Sequence, residues 1–158
     1  MRITARQDIG APIDEVFAAA TDHAGFERQA LRRGADVKRT DKLGGLVPGA
    51  AWRVAFPFRG REREVAIRVE GVEAPTRVTA LAEGGGLAAQ TAVELLALSR
   101  GTTRLTVTME VAGRTLTARL LLTGMRLARA SIERRVGERL AVWAREVEER
   151  SRRPAGKG

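Results

Sequence analysis

Cysteine is absent from this sequence. Its absence excludes disulfide bonds, thiolate nucleophiles and thiolate metal ligands. His23 is the only histidine, so no metal site with an ordinary ligand set is predicted, and no cofactor is expected. A Ser-His-Asp triad would need His23 with Ser99 or Ser131, and neither serine lies in a nucleophile-elbow context. His23 is therefore interpreted as a solvated or capping residue between two helices.

Aromatic residues are also scarce, with four Phe, two Trp and no Tyr, so the core must rest mainly on Val, Leu, Ile and Ala. No apolar run approaches the roughly 18 uncharged residues that a membrane span requires. The N-terminal residues lack the apolar region of a secretory signal. A length of 158 residues suits one domain with a substantial core, and we expect a cytoplasmic protein.

Lysine is rare, and 25 of the 28 basic residues are arginine, with a formal net charge of +9. Positive charge can neutralise the phosphates of a nucleic acid. The arginines, however, are spread from Arg2 to Arg153 and are interleaved with glutamate instead of forming one block. This distribution favours a solvated surface, with an anionic partner such as RNA as the alternative.

The N-terminal segment predicts a strand followed by two short helices. Apolar and polar residues alternate between Arg2 and Ile9, as in a half-buried strand. After Pro12, apolar residues follow the i, i+3, i+4, i+7 spacing of one helix face. Asp22 is placed to cap a second helix that runs towards Leu31.

From residue 35 to residue 111 the chain predicts about six strands separated by glycine-containing turns. The short connections indicate an antiparallel meander, because parallel strands need crossover segments. Between Arg77 and Glu83 the alternation does not identify the inward face.

One helix of about 30 residues is predicted after Gly113. Its apolar stripe is Leu121, Met125, Ala128, Ile132, Val136, Leu140, Trp143 and Val147. Arginine and glutamate occupy the opposite face, so the helix is expected to pack across the sheet. Residues 151–158 contain Pro and Gly without periodicity and are predicted to form a disordered tail after a single domain of residues 1–150.

This order of elements resembles the START/Bet v 1-like (SRPBCC) superfamily, and more narrowly its bacterial polyketide cyclase/dehydrase and lipid-transport branch. The matching motifs are Ala11 to Phe17, Asp22, Phe26, Gly49 to Trp52, Gly101 to Leu105 and the terminal amphipathic helix. The resemblance implies an α+β helix-grip fold, in which a curved antiparallel sheet of about seven strands wraps around a long C-terminal helix. It also implies a cavity for a small hydrophobic ligand, without fixing one reaction.

Three polar residues, Gln7, Arg63 and Thr91, share the parity of apolar residues expected to face inward. A buried polar group without a partner costs on the order of 1–3 kcal/mol, whereas a ligand pocket uses a few placed polar groups. We therefore predict that they line the pocket. The alternative is that Arg63 reaches solvent near a strand end while Gln7 and Thr91 form internal hydrogen bonds. The apolar wall candidates, which become plain core if the cavity is filled, are Trp52, Phe56, Met109 and Met125.

The leading hypothesis is therefore binding or transport of a small hydrophobic or amphipathic ligand. The second is a cyclase or dehydratase acting on a polyketide-like substrate, with an Arg or a carboxylate acting on the enolate or carbonyl. The third is a module that binds RNA or membrane lipid through the arginine-rich face of the long helix. The scarcity of His, Cys and Tyr favours binding over catalysis.

Overall fold

The structure is a computed structural model that describes residues 1–58 and 60–153. Two parts of the chain lie outside the described residues: Arg59, which with Gly60 forms one of the predicted glycine-containing turns, and residues 154–158 of the predicted tail. In chain order the elements are β1 (Arg2–Ile9), α1 (Ile13–Ala20), α2 (His23–Arg32), β2 (Asp36–Arg39), β3 (Ala51–Phe58), β4 (Arg61–Glu73), β5 (Arg77–Gly84), β6 (Leu87–Ser99), β7 (Thr102–Gly113), α3 (Leu116–Leu127) and α4 (Arg129–Arg152).

The seven strands form one antiparallel sheet in the order β1-β7-β6-β5-β4-β3-β2, which confirms the predicted α+β helix-grip fold. Directly opposed residues lie on the same face of a sheet, so the register defines the face that meets the helices, here called the inner face. In β5 the register assigns Val78, Ala80 and Ala82 to the inner face and Leu81 to the outer face. This resolves the strand whose alternation was ambiguous.

At one end of the inner face, side chains from β1, β6 and β7 pack against α1 and α4. The buried members of this closed cluster are Ile9, Ala11, Val16, Leu95, Leu105, Ala144 and Val147. Thr103 is fully buried beside them, and its hydroxyl donates to the Ala11 carbonyl at 2.8 Å. At the other end a smaller open-end cluster consists of Ala50, Trp52 and Val69.

The C-terminal helical segment is interrupted, contrary to the prediction of one continuous helix. Ala128 has φ −96° and ψ 9° and separates α3 from α4. Helix α3 packs on β7 through Ala118 and Leu122, while Leu121, which was predicted to be buried, is 51% exposed. The buried face of α3 is set by β7 and that of α4 by β1, so one stripe does not run through both helices.

Helix α4 also covers the free edge of β1, which is a terminal strand of the sheet. The Glu133 carboxylate accepts the Thr4 N–H at 3.2 Å, and the Glu148 carboxylate accepts the Gly10 N–H at 2.7 Å. These bonds satisfy backbone donors that would otherwise offer pairing sites to another strand. The helix continues through Ser151 to Arg152, two residues into the predicted tail.

Candidate ligand-binding site

Between the two clusters, the inner face carries side chains that are only half-buried. We call this region the central hollow; it is lined by Val54, Val65, Ile67, Ala80, Thr91 and Met109. Its apolar members are not among the buried residues of either cluster, although Ile67 and Ala80 lie directly opposite Trp52 and Val69 of the open-end cluster. On the central strands, Leu105 of the closed cluster is only 2% exposed, whereas the positions that line this region are half-buried. The central hollow is therefore an apolar surface that solvent reaches.

The Thr91 hydroxyl shows independently that the hollow is open. It makes no hydrogen bond within residues 1–58 and 60–153, and no buried side-chain nitrogen or oxygen of those residues lacks a partner. The Thr91 hydroxyl must therefore be accessible to solvent. Thr91 lies directly opposite Met109 on one side and Ala80 on the other, in the middle of the inner face.

Gln7 and Arg63 differ in their surroundings. The Gln7 side-chain amide donates to the carbonyl of the next residue, Asp8, at 3.1 Å. Arg63 is exposed, lies opposite Phe56 near the start of β4, and has no ion-pair partner among the residues described. Its guanidinium is therefore available at the rim of the hollow.

Trp52 is the most buried of the candidate wall residues, at 8% exposure, and belongs to the open-end cluster. Its indole N–H donates to the Glu27 carboxylate on α2 at 2.8 Å. The Arg39 guanidinium lies 4.5 Å from the centroid of the Trp52 ring, a cation–π geometry. His23, half-buried at the start of α2, has its ring centroid 6.3 Å from that of Trp52. These contacts fix the indole at the end of the hollow.

An ion pair holds Arg39 under the indole. Its two nitrogens Nε and Nη2 donate to the Asp41 carboxylate, the second at 3.1 Å. Asp41 also accepts the N–H groups of Ala51 at 2.7 Å and Leu43 at 2.8 Å. The bond from Arg39, followed by the bond from the Ala51 amide, holds the pKa of Asp41 well below its usual range. The open end is therefore organised by charged and polar contacts.

The sheet register places six of the seven predicted site residues on the inner face, and pairs Phe56 with Arg63 and Thr91 with Met109. Met125 lies apart from them on α3, where it is half-buried. The prediction omitted Val54, Val65, Ile67 and Ala80 as lining residues. Three of these alternate in phase with Trp52 or Arg63 along the same strand, so their inward orientation was predictable from the sequence. Ala80 lies in the strand whose alternation did not identify the inward face.

The described part of the chain holds no group of three or more His, Asp or Glu side chains arranged to bind a metal ion. No helix within it is both long and apolar enough to cross a bilayer.

No protein-family model and no curated protein matches this sequence. Solved structures do match its fold. The Zhui aromatase/cyclase from Streptomyces sp. R1128 superposes with a TM-score of 0.72 at 16% identity, covering 99% of this chain and 98% of that one. TTHA0849 from Thermus thermophilus gives 0.68 at 17% identity, covering 96% and 99%. Ara h 8.0201 gives 0.60 at 14% identity, covering 96% and 97%.

Together with the sheet order and the C-terminal helices, these matches define the class of fold: the chain has an α+β helix-grip fold that it shares with these solved structures. The resemblance found in the sequence is confirmed at the level of the fold. Sequence identities below one fifth do not support assigning the function of these proteins to this chain. The function is therefore inferred from the chain's own residues.

Proposed function

We propose that this protein binds a small hydrophobic or amphipathic ligand in the central hollow. The observation that carries the proposal is the row of half-buried apolar side chains between two packed clusters. Covering these side chains with an apolar ligand would remove their surface from water, which supplies most of the affinity in such sites. The Thr91 hydroxyl in the middle and the Arg63 guanidinium at the rim would orient the polar end of the ligand.

The proposal favours binding over cyclisation because of what the strands present to the hollow. At the inner-face positions of the described strands there is no Asp, Glu or His. Cyclase or dehydratase chemistry on a polyketide-like substrate needs groups that donate and accept protons. Thr91 and Arg63 are suited to orientation and charge stabilisation, so a cyclase activity is the second candidate, supported by the likeness to an aromatase/cyclase fold.

A matched pair of substitutions tests the location of the site. Ala80 and Ala92 are both half-buried alanines on neighbouring central strands, but Ala80 faces the hollow and Ala92 lies on the outer face. We expect Ala80→Phe to weaken binding of the amphipathic probe 1-anilinonaphthalene-8-sulfonate by roughly ten-fold, because the ring occupies about 60 Å² of the surface that the probe would cover. Ala92→Phe should bind the probe as the unmodified protein does.

The probe's fluorescence titration measures both affinities, and thermal unfolding verifies that each variant is folded. A panel of fatty acids and aromatic polyketides screened by thermal shift then narrows the ligand class. Equal weakening by the two variants would place the probe elsewhere. Absence of any ligand in an organic-solvent extract, together with no thermal shift across the panel, would refute ligand binding.

A further inference from the structure

Helix α3 exposes a row of leucines on the side that faces away from the sheet. Leu116, Leu120 and Leu127 are 74%, 67% and 91% exposed. Their spacings of four and seven residues place them on one side of the helix, here called the leucine face. Ala118 and Leu122, on the other side, are buried against β7. Several large apolar side chains exposed on one side of a helix are typical of an interaction surface.

The charge around the leucine face has one sign. Residues 111–132 contain four arginines and no acidic residue. Arg114 and Arg129 are paired with Glu83 and Glu133. Arg119 and Arg126, seven residues apart along one flank of the leucine face, have no carboxylate partner among the residues described; Arg119 donates only to the Gly113 carbonyl, at 3.3 Å. The flank therefore carries two uncompensated positive charges.

A cleft lies beside this flank, between α3 and the C-terminal end of β7. Its volume is about 400 Å³, which is enough for a small anionic headgroup. Arg119, Arg126, Leu122 and Thr123 line its α3 side, and no acidic side chain lines it. An anionic group could thus enter a concave, positively charged site immediately next to exposed leucines.

We propose that α3 is a docking helix for an anionic lipid bilayer. Its three leucines insert at the level of the headgroups, and Arg119 and Arg126 contact lipid phosphates. Two other occupants fit the surface less well. A second copy of the chain would place Arg119 and Arg126 close to the same arginines of that copy, and their positive charges would repel. A nucleic acid would leave the leucine face exposed to water. Of these three occupants, only an anionic bilayer offers apolar depth and negative charge together.

The test is co-sedimentation of the protein with phosphatidylglycerol vesicles and with phosphatidylcholine vesicles. We expect selective, salt-sensitive binding to phosphatidylglycerol. Replacing Leu116, Leu120 and Leu127 together by Ser should lower the partition coefficient by more than about ten-fold. The pair Arg119→Gln and Arg126→Gln should lower it by roughly twenty-five-fold, about five-fold for each charge.

Matched controls separate this surface from overall charge. Leu96→Ser with Leu98→Ser removes two exposed leucines from β6, and Arg28→Gln with Arg32→Gln removes two exposed arginines from α2. Both controls should bind vesicles nearly as the unmodified protein does. Equal losses in the controls, equal binding to both lipids, or no binding would overturn the proposal. So would a dimer, seen by gel filtration, that the triple leucine variant abolishes.

This docking role goes beyond ligand binding and can fail separately from it. The triple leucine variant should retain binding of 1-anilinonaphthalene-8-sulfonate in the hollow, with the sensitivity to Ala80→Phe unchanged. Loss of vesicle binding with probe binding retained supports both proposals, whereas vesicle binding by a protein that binds no probe supports docking alone.

Discussion

The closed cluster and the central hollow both take inner-face residues from β6 and β7, yet those residues differ in burial. Leu105 of β7 is packed by α1 and α4, while Met109, four residues further along the same face, remains half-buried. The difference arises because α1 and the C-terminal half of α4 cover only one end of the inner face. An apolar inner face is thus stabilising where helices fill it and becomes a binding surface where they do not.

The two ends also differ in the forces that organise them. Trp143 packs against the closed cluster, whose buried members are all apolar. Trp52, at the other end, is held by the Glu27 carboxylate and the Arg39 guanidinium. Apolar packing is insensitive to pH, whereas the ion pair beneath Trp52 depends on an ionised Asp41. Trp143 can therefore serve as a fluorescence probe of the closed cluster, and Trp52 as a fluorescence probe of the open-end cluster.

The largest expected difference in stability comes from truncating one side chain in the closed cluster and one in the central hollow. Leu105→Ala should lower the free energy of unfolding by about 3 kcal/mol, because it opens a cavity in a packed core. Met109→Ala should cost about 1 kcal/mol, since its side chain is partly solvated already and leaves no closed cavity. Urea denaturation of both variants measures the difference. Equal losses would mean that the hollow is a filled core.

Substitution of two threonines on the inner face should give a smaller difference in the free energy of unfolding, again with the larger loss in the closed cluster. Thr103→Val keeps the shape but leaves the buried Ala11 carbonyl without its donor, so we expect a loss of roughly 1–3 kcal/mol. Thr91→Val removes a hydroxyl that has no partner in the described structure, and stability should change by less than about 0.5 kcal/mol. Urea denaturation curves of the two variants measure this difference in the free energy of unfolding. A large loss for Thr91→Val would contradict an open hollow.

Much of the fold was predictable because local patterns specify it. The alternation in β1, the Asp22 cap of α2 and the glycine-containing turns between strands each act over a few residues. The break at Ala128 was not predictable, since neither Pro nor Gly marks it and it follows from packing against two different strands. Likewise, alternation placed Met109 and Leu105 on one face but could not distinguish filled core from hollow, because that depends on where distant helices lie.

The open-end cluster and the closed cluster should also differ in their response to acid. The pKa of Asp41 is lowered in the folded protein, so its contribution to stability is present above its unfolded value, near pH 4, and is lost as the pH falls towards the folded value. With Trp143→Phe as the background, Trp52 emission should shift to longer wavelength during acidification. With Trp52→Phe as the background, Trp143 emission should change only at lower pH, when the closed cluster unfolds.

Asp41→Asn tests whether the ion pair causes this difference. We expect the variant to show the acid-like emission of Trp52 already at neutral pH, because Arg39 is no longer held under the ring. Asp8→Asn is the control: Asp8 pairs with Arg104 on the outer face, and that bond likewise lowers its pKa, but no tryptophan contacts the pair. If both tryptophans responded at one pH in all variants, the two regions would unfold as one unit, and the open end would have no separate electrostatic support.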